Sequence, residues 1–193
     1  KLDISKLAWG SNIGLVIMMT GMLVLLIFGL ISLSFTSILP LPKLIVIFAM
    51  VAISEEVVFR GYILRNMIER FSENFSIGFS ALLFSGLHIF NPHFGLIAFI
   101  NIFLGGVLLA IAYLRSNDLS VPIGLHFSWN LVQAISGFAV SGQQDTGVFS
   151  INYLDANELL TGGAFGLEGS IILTPVIFVV ILLVAKRAFK SCS

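Results

Sequence analysis

Long apolar runs closed by short polar or proline-containing connections dominate the chain. A helix rises about 1.5 Å per residue, so about 20 apolar residues cross the roughly 30 Å hydrocarbon core of a bilayer. The runs predict six membrane helices, over approximately 10–36, 43–66, 76–91, 94–114, 119–140 and 169–186. The first is long enough to tilt, and Pro40 with Pro42 ends it, while Asn91 and Pro92 close the short third. The runs show no period-two alternation, which a membrane barrel would need. The expected fold is therefore all-α, a polytopic transmembrane helix bundle of about six spans, forming a single integral-membrane domain over residues 1–193. No internal repeat is visible, which argues against an inverted-repeat transporter.

Composition sharpens the membrane reading. Hydrophobic residues make up 58% of the 193 positions and charged residues 10%, against about 25% charged in soluble domains, and the mean hydropathy is +1.05. The formal net charge is zero, so nothing suggests nucleic acid as a partner. Lys1 and Lys6 precede the first span, Arg60, Arg65 and Arg70 end the second, Arg115 follows the fourth, and Lys186, Arg187 and Lys190 follow the sixth. With six spans these clusters share one side, which makes both termini cytoplasmic. The other side receives residues 145–168, with four acids and no Lys or Arg, rich in Gly, Ser and Asn and expected to be mobile or semi-ordered. Only Lys43 goes against the charge pattern.

The ends of the chain add little chemistry. It begins at Lys1 rather than Met and is read as a fragment lacking earlier helices; its first apolar run is too long for a cleaved signal peptide. The one cysteine, Cys192, excludes an intramolecular disulfide and a cysteine-rich metal site. It is read as a free thiol, with acylation beside Lys186, Arg187 and Lys190 as the alternative. Trp9 suits an interfacial anchor.

Ionisable groups inside apolar spans are costly unless paired or facing a polar cavity, and so mark a functional site. Glu55, Glu56 and Arg60 stand together in the second run. At about 100° per residue, Glu56 and Arg60 lie about 40° apart on an α-helix, close enough for an ion pair, whereas Glu55 lies about 140° from Arg60. Glu56 is therefore read as the structural partner of Arg60. Glu55 shares its face with Phe59, an apolar setting that suits a general base.

Further polar residues sit in the later spans. His88 lies near the end of the third, one turn after Phe84, and His126 and Asn130, four apart, share a face of the fifth. His93, after Pro92, is read as interfacial. Counting the rise from each span's start puts Glu55 and His88 within about 6 Å in height, with His126 similarly close. A Glu, two His and an Asn around a buried water suit peptide hydrolysis. Glu55 with His88 would activate the water, and His126 with Asn130 would bind the oxyanion, in a site open to a polar cavity. Gly105 and Gly106 are read as helix-packing residues, with Asn101 as a polar contact in the cavity.

These stretches resemble the signature of the CAAX protease and bacteriocin-processing family, the intramembrane glutamic proteases also called the ABI family. The ordered motifs Glu-Glu-x-x-x-Arg, Phe-x-x-x-His and His-x-x-x-Asn read here as Glu55, Glu56 and Arg60, then Phe84 and His88, then His126 and Asn130. The resemblance implies a multi-pass membrane endopeptidase, here in a bacterial plasma membrane, with Glu55 and His88 activating water and His126 and Asn130 binding the oxyanion. It implies peptide or protein substrates, including lipidated ones: prenylated C-terminal peptides in eukaryotic members, and bacteriocin maturation or self-immunity in many bacterial ones. Family members generally have more helices before the first motif, so it also implies truncation or a reduced architecture.

Two rival readings use the same residues. Two His, one carboxylate and a water also form a catalytic zinc set, so the inventory admits zinc. The preferred reading has no metal and no cofactor, because there is no His-Glu-x-x-His helix and Asn130 suits an oxyanion donor better than a metal ligand. A non-catalytic immunity protein or proton relay would use intramembrane Glu and His as well.

Overall fold

The computed structural model describes residues 2–155 and 157–186. Lys1, Arg187, Lys190 and Cys192, with the charge and acylation readings placed on them, lie outside the described residues.

Helix α1 spans Ile4–Ile27 and starts six residues earlier than its apolar run suggests. Asp3 is the reason: its carboxylate accepts from the amides of Ser5 and Lys6, which satisfies two of the helix's orphan donors. The helix also stops earlier than expected, where Gly29 takes φ 66°. Beyond it comes a strand, β1 (Ile31–Phe35), where the sequence reading placed more helix. β1 pairs antiparallel with β2 (Phe149–Tyr153), so the fold is not all-α. In this register Leu33 faces Ile151 and Phe35 faces Phe149, while Ser34 faces Ser150. Apolar side chains thus share one face and polar ones the other.

Pro40 and Pro42 open α2 (Leu41–Glu56), a position where a missing amide proton costs nothing. The rod continues through a π-helical turn (Val57–Leu64) into α3 (Arg65–Ile68). α4 (Glu73–Leu87) ends in a 3-10 turn at His88–Phe90. α5 (Leu96–Ser116) is stopped by Asn117 at φ 49°, and α6 (Ser120–Ile135) follows at once. The return to the last rod, α8 (Leu173–Lys186), passes through β2, a short α7 (Glu158–Thr161) and two 3-10 turns at Gly163–Phe165 and Leu167–Gly169. The described residues of the segment expected to be mobile or semi-ordered thus include a paired strand, a short helix and two 3-10 turns.

Among the described residues, α1 and α5 are long and apolar enough to cross a membrane, with mean hydropathies of 2.0 and 2.4; α8 is apolar but shorter. α4 and α6, with 15 and 16 residues, fall short of the roughly 20 that a perpendicular crossing takes. The principal core lies between α1, α5, α6 and α8, with Ile17, Met18, Leu108, Leu125 and Leu173 fully or almost fully buried. α1 and α6 make the closest crossing. A Cβ at Gly10, Gly14 or Gly124 would collide with the carbonyl of Val121, Leu125 or Leu7 respectively. Small residues that let two backbones meet in this way are typical of helix pairs in membranes. Large apolar side chains cover the outside as well, among them Val46, Met50, Leu82, Phe178 and Leu183.

Candidate active site

The π turn follows directly on Glu55 and Glu56. Such turns shift amide bonding one residue further back and often lie at functional sites. Inside this one, the Phe59 carbonyl accepts from Ser80 Oγ of α4 at 3.4 Å. The widened turn means that α-helical angles do not describe the whole stretch, yet the two glutamates still separate.

Glu56 and Arg60 are both 0% exposed, and Arg60 Nη1 donates to Glu56 Oε1 at 2.9 Å. Arg60 Nη2 donates to the Gly106 carbonyl at 2.9 Å, and the guanidinium lies 4.7 Å from the centre of the Phe84 ring. Gly106 also packs on Ala81, where an added Cβ would come within 3.0 Å. The same Glu56 oxygen lies 2.8 Å from His126 Nδ1. A carboxylate that already holds Arg60 accepts here, so Nδ1 carries the proton, and the other ring nitrogen, Nε2, lies 3.8 Å from Glu55 Oε2. Glu55 is one-third exposed, with a side-chain accessibility of 33%.

His88 ends α4, and its Nδ1 lies 2.8 Å from the Phe84 carbonyl. A carbonyl only accepts, so Nδ1–H donates and Nε2 is the free ring nitrogen. The Phe84 ring touches both histidines, at centroid distances of 5.0 Å to His88 and 5.9 Å to His126. Among the described residues no hydrogen bond or ion pair joins Glu55 to His88, and the nearer histidine to Glu55 is His126. Asn130 is buried one turn after His126 on α6.

Glu55, His88, His126 and Asn130 line one cavity of about 310 Å³. Its walls are mainly apolar, from Ile47, Phe48 and Val51 of α2, Ile102 and Leu109 of α5, and Leu125 of α6. Lys43, the charge that broke the pattern, donates to both oxygens of Asp145 at 2.9 Å, and Asp145 belongs to the cavity wall. The Lys43 ammonium beside it holds the Asp145 carboxyl below the usual carboxylate range.

Glu168 was not legible as a site residue. It sits on the last 3-10 turn, buried, and lines the same cavity. Its Oε1 accepts from Trp129 Nε1 at 2.8 Å, and its Oε2 accepts from the amide and hydroxyl of Ser141, both at 2.8 Å. The only sequence signal was an acid placed just before the last apolar run. Asn101 does not line the cavity. It donates to the carbonyls of Glu168 and Ser170, both at 2.8 Å, and accepts from Thr174 Oγ1 at 2.7 Å, which ties the loop to α5 and α8. No group of three His, Cys, Asp or Glu side chains among the described residues is arranged to hold a metal ion.

A mostly helical fold thus gathers carboxylates, imidazoles and a carboxamide in one apolar-walled cavity. Residues 36–132, about half of the chain and inclusive of every motif residue, match the type II CAAX prenyl endopeptidase Rce1-like family. The chain belongs to that family, an integral-membrane protease family. No curated protein and no solved structure matches it.

Proposed function

We propose that the chain is a multi-pass intramembrane endopeptidase that hydrolyses a peptide bond with a water activated by Glu55 and His88. The observation that carries this reading is the convergence of Glu55, His88, His126 and Asn130, from three separate segments, on one apolar-walled cavity. Peptide hydrolysis needs a base at the water and donors at the oxyanion. Glu55 Oε2 is buried without a hydrogen-bond partner among the described residues and takes the proton of the water. His88 orients that water through Nε2, since its Nδ1 is engaged by the Phe84 carbonyl.

Attack on the carbonyl carbon forms the tetrahedral intermediate and places negative charge on its oxygen. His126, as imidazolium backed by the Glu56 carboxylate, donates Nε2–H to that oxygen, and Asn130 donates from its amide. Collapse expels the amine, which takes its proton from Glu55, and the water hydroxyl stays on the new carboxyl group. Glu56 and Arg60 hold the arrangement together. No metal takes part.

The bilayer is the solvent in this reading. The exposed apolar side chains along the rods support contact with lipid. Six helical rods cross or enter the membrane: α1, α2 with α3, α4, α5, α6 and α8. Both termini are cytoplasmic, by the side on which Lys and Arg collect, in a bacterial plasma membrane. The substrate is a peptide or protein, of the prenylated CAAX type or of the bacteriocin-processing type.

The test is cleavage of a prenylated CAAX peptide and of bacteriocin precursors by the purified protein in liposomes. Glu55→Gln is expected to abolish cleavage, and Asn130→Ala to lower kcat about 10²-fold or more. Undiminished cleavage by Glu55→Gln would sink the reading. Mass spectrometry of peptides trapped by that variant decides between the two substrate types.

A further inference from the structure

His88 and His126 come from different helices, and among the described residues no hydrogen bond joins them. A site that activates water on one side and binds an oxyanion on the other must keep that spacing, because a misplacement of about 1 Å can cost about 10²-fold in rate. A polar chain along the cavity wall makes the connection. Asn91, which ends the 3-10 turn begun by His88, donates through Nδ2 to the Ser141 carbonyl at 2.9 Å. Ser141 donates its amide and hydroxyl to Glu168 Oε2, and Glu168 Oε1 accepts from Trp129 Nε1. Trp129 lies beside Asn130 and three residues after His126 on α6. All four members of this chain line the cavity that holds the reactive groups.

The connection is built into the backbone at each step. Ser141 sits at φ 48°, a conformation that a side chain adopts only when its surroundings impose it. Gly142 follows at φ 81°, pressed so closely against the Pro92 carbonyl that no Cβ fits, and its amide donates to the Phe165 carbonyl at 2.9 Å. The Glu168 carbonyl is fixed by Asn101. Glu168 thus spends both carboxylate oxygens on three donors, all neutral, while buried at the wall of a reactive cavity.

We propose that Glu168 is a positioning residue of the hydrolytic site, a latch that holds the His88 end of α4 in register with His126 and Asn130 on α6. The proposal rests on the endopeptidase reading above.

Glu168→Gln preserves shape but cannot accept at both ends, since its amide NH2 must face either the Trp129 N–H or the Ser141 N–H. Trp129→Phe removes the donor at the α6 end. Each is expected to lower kcat about tenfold with KM within about twofold, and the double variant to be no worse than the worse single one, as for two ends of one connection. Hydrogen exchange gives a readout without activity: the Ser141 amide should be protected in the wild type and exchange about 100-fold faster in Glu168→Leu, which accepts at neither end.

Glu55→Gln is assayed in parallel. Cleavage that survives in it removes the Glu55-activated mechanism, and amide exchange alone then decides whether the latch exists. If Glu55→Gln is inactive while Glu168→Gln and Trp129→Phe keep wild-type kcat, the latch is overturned. Unchanged exchange at Ser141 overturns it as well. Should Glu168→Gln fail to fold, wild-type kcat in Trp129→Phe is sufficient to reject it.

Discussion

His126 Nδ1 lies 2.8 Å from Glu56 Oε1, the same oxygen that accepts from Arg60 at 2.9 Å. One buried carboxylate oxygen therefore ties its own helix to a histidine 70 residues further along the chain. The arrangement keeps a proton on His126 Nδ1 and leaves Nε2 beside Glu55. Glu56 supports the fold and aims the imidazole, and removing its charge should disturb both.

The two adjacent glutamates should consequently differ in what they cost to replace. Glu56→Gln leaves Arg60, at 0% exposure, without its charged partner. Breaking a buried pair in this way costs about 3–5 kcal/mol, so thermal unfolding in detergent should show a large drop and the yield should fall. Glu55 is one-third exposed and its Oε2 has no hydrogen-bond partner among the described residues, so Glu55→Gln should unfold near the wild-type temperature. Equal loss in both variants would contradict this division.

The α1 and α6 crossing predicts a sharp contrast among glycines. At Gly14 and Gly124 a methyl group would strike a backbone carbonyl of the facing helix, which cannot swing aside as a side chain can. Alanine at either position should cost about 1–3 kcal/mol by forcing the helices apart. Gly78 and Gly86 lie within α4 with open space around them. Alanine there should be neutral or stabilise by up to about 1 kcal/mol, through helix propensity alone. Thermal midpoints of the four variants in one detergent check the contrast; similar values for both pairs would refute it.

Most helices were legible because long apolar runs are a strong signal, although among the described residues only α1 and α5 reach a membrane-crossing length, and the Glu56 and Arg60 pair was legible because helical spacing is local. The bond from Glu56 to His126 was not, because it depends on how two distant helices cross. Ile31-Ser-Leu-Ser-Phe35 and Phe149-Ser-Ile-Asn-Tyr153 do alternate with period two. The first was absorbed into a long apolar run and the second into an acidic loop, so neither read as a strand until the pairing brought them together. Glu168 escaped for a related reason. Its partners, Trp129 and Ser141, lie on other segments, and a lone acid in a glycine-rich stretch looks like a solvated loop.

Acid should loosen the segment that carries Asp145. Its carboxyl titrates below the ordinary 3.8, chiefly because Lys43 donates to it, so the folded state favours the ionised form. A lowered folded value means that the stabilisation is complete above about pH 4 to 5 and is lost as pH falls through the folded value. The pair is partly exposed, so high salt should weaken it in the same direction. Hydrogen exchange over residues 143–147 should quicken below pH 4 in the wild type, and Asp145→Asn should show the fast rate already at pH 7. A segment insensitive to both acid and this substitution would show that the Lys43 pair does not hold it.

Chelation separates the metal-free mechanism from its nearest rival. Glu55 Oε2 and His126 Nε2, 3.8 Å apart, are close enough to share one ion. A catalytic zinc site takes three protein ligands at about 2.0–2.2 Å for nitrogen and oxygen donors, and no third His, Cys, Asp or Glu among the described residues completes such a group. Asn130 stands on the same cavity wall as an amide, suited to an oxyanion and poor as a zinc ligand. Cleavage by the purified protein should therefore continue at full rate after prolonged exposure to a strong chelator, and metal analysis should find far less than one zinc per chain. Activity that disappears in chelator and returns on adding zinc would transfer the water-activating role from Glu55 and His88 to a metal ion.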